Sequence, residues 1–339
     1  MSNQSNTTQT PLSNSSTIMT NSSSTESEIA ANNITSRANY VYSFFASLAL
    51  VAGCFLFYSF IQTYRAQRRL AWLDRLLWVF CGFQLLLLLL SLHVVAHRPA
   101  YLKTTVLGCA ALSFFINTAS LCGLLVLVLM AYVLTLDPPS HALVRKPGVC
   151  AALVVLTSVV ISLLLAGLRK PGKGLQEEEK CLMDSPHVSY AAAQLCLAFV
   201  IPTLILGFLI GGCVRQWKSK GRLLSGSEEG PMFLTVTVVM FFCLLFYSIV
   251  LVWAAQLQRD RALSHSEQAF LSVAEFVLFS GSSASLLLML VMHRPCRESL
   301  HGVFRQLRDC CRRPGRTQPN RNIITPHIEI TDTLQDIES

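Results

Sequence analysis

Charge is what this chain holds least of. Only 14% of its 339 residues are charged while 52% are hydrophobic, and mean hydropathy is +0.49. A soluble domain carries about 25% charged residues, so this composition cannot clothe a surface that faces water. The same shortage excludes a disordered chain and a coiled coil, and no short repeat of the collagen kind is present. Lys and Arg are missing altogether from seven long runs, at residues 40–64, 76–96, 104–136, 147–168, 188–214, 231–258 and 268–292, and the one acid inside them is Glu275. The formal charge of +8 therefore lies between the runs instead of forming a patch, and nucleic acid is not expected as a partner. Segments that alternate apolar and polar residues are absent too, which argues against a membrane barrel.

What is present follows from those gaps. Each run is long enough to cross about 30 Å of hydrocarbon as a helix, so the expected fold is all-α, an integral membrane bundle of seven helices in a lipid bilayer. Segments that follow the first, third, fifth and seventh runs hold 18 of the 27 Lys and Arg residues. Basic loops stay in the cytosol, which predicts the N-terminus outside and the C-terminus inside. Residues 1–39 are rich in Ser, Thr and Asn, with sequons at Asn3, Asn6, Asn14, Asn21 and Asn33. They are expected to be a disordered, glycosylated extracellular tail. No apolar stretch precedes Tyr40, so no cleavable leader is expected and the first run serves as its own insertion signal.

Most of the twelve cysteines lie within the runs, where they pack as small apolar residues. Cys109 stands at the expected outer end of the third run and Cys181 in the middle of the loop after the fourth. Both face the oxidising side with no competing thiol, which predicts a disulfide between them; two free thiols are the alternative. Beyond the seventh run, Cys296, Leu300, Val303, Phe304, Leu307 and Cys311 recur at helical spacing, with Arg297, Arg305, Arg308 and Arg312 largely on the other face. Residues 293–312 are thus expected to form an amphipathic helix on the membrane surface, ending in the Cys310–Cys311 pair at the depth of S-palmitoylation. An unmodified pair in a reducing cytosol is the plainer reading. Residues 313–339 are expected to be a disordered cytoplasmic tail.

Seven helices with the N-terminus outside, a third-helix cysteine opposite a loop cysteine, and a basic helix after the seventh resemble the rhodopsin-like G protein-coupled receptors over roughly residues 40–311. Phe199-Val200-Ile201-Pro202 resembles the family's mid-helix proline pattern, and Cys243-Leu244-Leu245-Phe246-Tyr247 matches two of four defined positions of its sixth-helix motif. The chain departs from the family where activation is usually carried. No Arg exists between Arg98 and Arg145, so Ala131-Tyr132-Val133 or Val133-Leu134-Thr135 stands where the family has Asp-Arg-Tyr, while Gln84 replaces the second-helix aspartate. Ser285, Leu286 and Met289 occupy the place of Asn-Pro-x-x-Tyr. Pro202, Tyr132 and Gln84 are accordingly the activation-related positions.

The resemblance implies a receptor at the plasma membrane that passes an extracellular ligand's signal to a heterotrimeric G protein, with an arrestin-type protein as a further partner of the phosphorylated tail. A receptor-like protein without coupling, acting as scaffold or decoy, is the alternative. It also implies neither an opsin nor an amine receptor, because no Lys follows Lys220 and no acid lies between Thr104 and Leu136. A transporter would bring repeats or proline-broken helices, and the sixth and seventh runs hold no proline beyond Pro231. No nucleophile–base pair or cluster of metal ligands is evident, so no enzyme activity, metal or cofactor is expected.

Glu275 is the candidate ligand-binding residue. A carboxylate inside the membrane costs at least about 2.5 kcal/mol on insertion scales, so it should face the bundle with a partner. Ser272, Ser282 and Ser283 share its face. Asn117, about 12 Å deeper than Cys109 at 1.5 Å per residue, and Tyr247 are expected to supply hydrogen bonds to the same ligand. The competing reading makes Glu275 a structural group bonded to a neighbouring helix through Tyr247 or Asn117. His93 and Gln194 read as bundle polars.

Overall fold

The computed structural model describes residues 15–67, 72–98, 102–135, 147–169, 178–181, 187–220 and 230–312. Helices α1 (Ser15–Gln67), α2 (Trp72–Val95), α3 (Val106–Thr135) and α4 (Pro147–Leu168) come first, with strands β1 (Lys103–Thr105) and β2 (Glu178–Lys180) in the connections. The fifth span is composite: α5 (Val188–Ala193), a π-helical segment (Gln194–Val200) and α6 (Ile201–Lys220). Helices α7 (Gly230–Asp260), α8 (His265–Met292) and α9 (Arg294–Arg312) complete the order. Seven of these spans are long and apolar enough to cross a membrane. They are helical for a plain reason: without water every backbone N–H and C=O must be satisfied inside the segment.

The bundle is held by α1 against α8, α7 against α8, and α3 between α2, α4 and α6. Small side chains allow the closest approach. Ala46, Ala49 and Gly53 form one face of α1, and a Cβ added at Gly53 would stand 2.9 Å from Leu85 Cδ1 and 3.5 Å from Leu286 Cδ1. Such small-residue stripes are how helices associate in lipid, where burial of apolar area offers no drive. The opposite faces carry exposed Phe44, Val51, Phe115 and Phe208, the last 84% exposed, as a surface turned to acyl chains would.

The first helix corrects an expectation. Residues 1–39 were expected to be a disordered tail, yet α1 is continuous from Ser15 for 53 residues. Ala31 and Thr35 are buried, Thr35 Oγ1 donating 3.0 Å to the Ala31 carbonyl, and they border His265, Gln268, Ala269 and Ser272 of α8. Docking on α8 supplies the stability that the polar composition could not. Asn21 and Asn33 therefore lie within a helix, Asn33 exposed, whereas Asn3, Asn6 and Asn14 lie outside the described residues. Helix α2 also begins earlier than the second run, placing Arg75 inside its first turns.

The chain divides into two compact units, Met1–Arg297 and Glu298–Ser339. The described part of the second is the remainder of α9, where Val303, Phe304, Arg305 and Arg308 are all exposed. Cys310 and Cys311 fall within α9 but their side chains lie outside the described residues, as does the whole of 313–339.

Candidate functional site

Two connections meet at one end of the bundle. β1 pairs antiparallel with β2, Lys103 opposite Lys180 and Thr105 opposite Glu178, and the Cys181 N–H donates 2.8 Å to the Leu102 carbonyl. Cys109 and Cys181 are joined by a disulfide with a Cα–Cα distance of 5.4 Å across 72 residues. Arg169 Nη2 donates 3.1 Å to the Cys109 sulfur. The loop after α4 is thereby fastened to the start of α3.

At the same end an ion pair runs from the turn after α2 to the interior of α8. Ala96–Arg98 form a turn that closes α2, and Asn39 of α1 donates to the carbonyls of Val95 and Arg98 at 3.3 and 3.4 Å. From this turn the Arg98 guanidinium reaches α8, where Nη2 binds Glu275 Oε2 and Nη1 donates 2.7 Å to Ser272 Oγ. Ser272 Oγ donates in turn to the Gln268 carbonyl at 3.0 Å. Both side chains are almost fully enclosed, with 2% and 4% of their surface exposed. Two opposite charges so placed satisfy one another; either alone would be an uncompensated buried ion. Next to Glu275 in α8, Phe276 stacks on Tyr42 of α1, ring centroids 5.9 Å apart, and Tyr42 also hydrogen-bonds Ser91 of α2.

The expected ligand triad is therefore divided. Asn117 and Tyr247 line one cavity of about 20 Å³, together with Ile116, Gln194, Leu244 and Ser248. That space holds a single water. Asn117 Nδ2 donates 3.1 Å to Tyr190 Oη, and Gln194 Nε2 donates 3.5 Å to Asn117 Oδ1. Glu275 is not among the residues lining the cavity, and the charge beside it is Arg98. In the sequence Arg98 is a basic residue of the short connection after the second run, with nothing beside it to mark a partner. The signal it did offer was a guanidinium three residues past a helix end and the one acid inside the seven uncharged runs.

Pro202 shapes this interior. It has no N–H and its ring crowds the carbonyl four residues before it, so the preceding turn widens to π geometry, the Ile201 N–H bonding Cys196 O. The widened turn begins at Gln194, beside Asn117. Gln84 is fully buried, and neither of its amide atoms has a hydrogen-bond partner among the described residues. A Cβ at Gly123 would meet Gln84 Nε2 at 2.6 Å, so any larger residue there would make the Gln84 amide move.

The other end of the bundle is built from softer groups. His293, between α8 and α9, is buried, with Nδ1 3.2 Å from Cys296 Sγ, Nε2 3.8 Å from Asp74 Oδ1, and its ring 5.3 Å from that of Phe60. Cys81 Sγ contacts Met289 Sδ at 3.7 Å, Leu286 is fully buried, and Ser285 Oγ donates 2.7 Å to the Gly281 carbonyl. Tyr132 is half-buried near the end of α3. Among the described residues no group of three His, Cys, Asp or Glu side chains could hold a metal ion. No protein-family model matches the chain, and no curated protein matches it.

Proposed function

We propose that the chain is a cell-surface receptor of the rhodopsin-like G protein-coupled kind, set in the plasma membrane with its N-terminus outside, and atypical in activation. The observation that carries this reading is the Cys109–Cys181 bond, which ties the start of the third span to the connection between the fourth and fifth. Disulfides persist on the oxidising side of a membrane, so the bond and the excess of basic residues in the opposite loops favour one orientation. The π segment ahead of Pro202 adds support in the fifth span.

The signal enters through the Arg98–Glu275 pair. It joins the end of α2 to α8, so a ligand that carries a charge acts by exchanging partners: a cation takes Glu275 and releases Arg98, and α8 is freed to shift. Asn117 and Tyr247 form the floor beneath and take part once the bundle opens. The third span has no arginine of its own near Tyr132, which favours basal output over a silent resting state. The same lack of arginine favours the second reading, a receptor-like protein that has kept the bundle and lost G protein coupling.

Guanine-nucleotide exchange and arrestin recruitment, measured in cells that express the full chain during a ligand screen, separate the two. The expected result is basal exchange above that of untransfected membranes, raised by Arg98→Gln. Exchange and recruitment that stay at background with every ligand, despite normal surface expression, would establish the uncoupled reading. An ion current would replace both with a channel.

A further inference from the structure

Where α1 closes and α2 opens, the two helices leave a groove of about 510 Å³ between them. Its described walls are Phe60, Ile61 and Tyr64 of α1 and Arg75 and Trp78 of α2. Spacings of three and four residues set each group on one helix face. We propose that this groove binds an acidic phospholipid, its phosphate on Arg75 and an acyl chain along the aromatic wall.

Three observations converge on that occupant. Among the described residues the walls are apolar apart from the Tyr64 hydroxyl and one guanidinium, and Ile61, Tyr64 and Trp78 are exposed on the outside of spans long enough to cross a membrane, so what fills the groove comes from the bilayer. Arg75 is exposed, and among the described residues no carboxylate forms an ion pair with it. Its neighbour Asp74 is directed to His293 at 3.8 Å and does not neutralise it. A guanidinium at the edge of hydrocarbon is best satisfied by a phosphate, which accepts its planar fork bidentately. Tyr64 and Trp78 are the residue types that sit at headgroup level, and the Trp78 ring is braced edge-on by Phe57 at 6.1 Å. A zwitterionic lipid offers the same phosphate with its charge cancelled by a choline, whereas an acidic headgroup leaves a net negative charge for Arg75. The basic connections at this end of the spans predict the cytoplasmic leaflet, where acidic lipids are concentrated. The site needs only that the spans lie in a bilayer, so it stands or falls separately from receptor signalling.

The test uses the full chain in nanodiscs of phosphatidylcholine containing a minor fraction of phosphatidylserine. One variant keeps Trp78 as its sole tryptophan, with Trp72, Trp217 and Trp253 replaced by Phe, and brominated acyl chains report contact by quenching. Brominated phosphatidylserine is expected to quench more than brominated phosphatidylcholine at equal mole fraction, with its relative association lowered about fivefold by Arg75→Gln. Arg215→Gln, on the fifth span, should leave the preference unchanged. Native mass spectrometry of the otherwise unaltered chain and of Arg75→Gln gives the same comparison without the tryptophan replacements, as phosphatidylserine retained on release from the disc. Equal quenching by both lipids, equal retention by the two proteins, or displacement by soluble glycerol 3-phosphate at concentrations that leave vesicles intact overturns the proposal.

Discussion

The two ends of the seven-span bundle are fastened by different chemistry. At the end that carries the paired strands β1 and β2, a covalent Cys109–Cys181 bond, a buried Arg98–Glu275 pair and a capping box at Ser264 and Glu267 hold the helices. At the end where α8 gives way to α9, the contacts are His293 with Cys296, His293 with Asp74 at 3.8 Å, and Cys81 with Met289. Bonds of the first kind have one geometry; sulfur contacts and a long histidine–carboxylate approach tolerate several. The difference teaches where rearrangement is cheapest. A bundle pinned at one end and held by sulfur and histidine contacts at the other changes shape most readily at the second.

The sharpest way to break the contrast is to remove half of the ion pair. Arg98→Met or Glu275→Met alone leaves an uncompensated buried charge and should destabilise the bundle by about 3–5 kcal/mol, read as a fall in thermal midpoint in nanodiscs. The double Met variant should recover most of that loss, since neither charge is then left buried without its partner. A double variant as unstable as the sum of the two singles would mean that the charges hold the helices separately. Next in size is the disulfide. Cys109→Ser together with Cys181→Ser should cost about 2–4 kcal/mol and leave the α9 end packed as before, as judged by the reactivity of Cys296 to a thiol reagent. Cys296 becoming reactive in that variant would show the ends to be coupled more tightly than their contacts indicate. Smallest is His293→Ala, expected to cost about 0.5–1.5 kcal/mol in the same unfolding measurement. A loss as large as that of the ion pair would erase the distinction between the two ends.

How much of this was legible depends on the range of the interaction concerned. The seven apolar spans could be read from residue type alone, because lipid imposes one rule on every backbone group in them. Arg98 and Glu275 lie 177 residues apart, and no local pattern links an arginine past α2 to an acid in α8. The helical course of α1 through Ser22-Ser23-Ser24-Thr25 was hidden for a similar reason: its support is the face of Ala31 and Thr35 on α8, and composition sees only the polar surroundings. β1 and β2 are three residues each, Lys-Thr-Thr and Glu-Glu-Lys, too short to show alternation. Within the candidate site, Asn117 is placed by counting turns from Cys109 and Tyr247 by its position in the sixth-helix motif, and the two share a cavity, but depth along an axis says nothing of which faces meet.

The π segment between Gln194 and Val200 has a consequence for how this chain is set beside others. A widened turn acts as one residue inserted into a helix, and one residue is about 100° of rotation. Residues before Gln194 and after Val200 therefore keep different phases about the helix axis, Tyr190 and Ala191 turning inward on one side of the step and Pro202 and Leu206 on the other. A relative without the step will superimpose along the whole fifth span only when a single-residue gap is opened inside 194–200. Matched without the gap, inward residues on one flank would be paired with lipid-facing ones, and the similarity of half the span would vanish from an identity count.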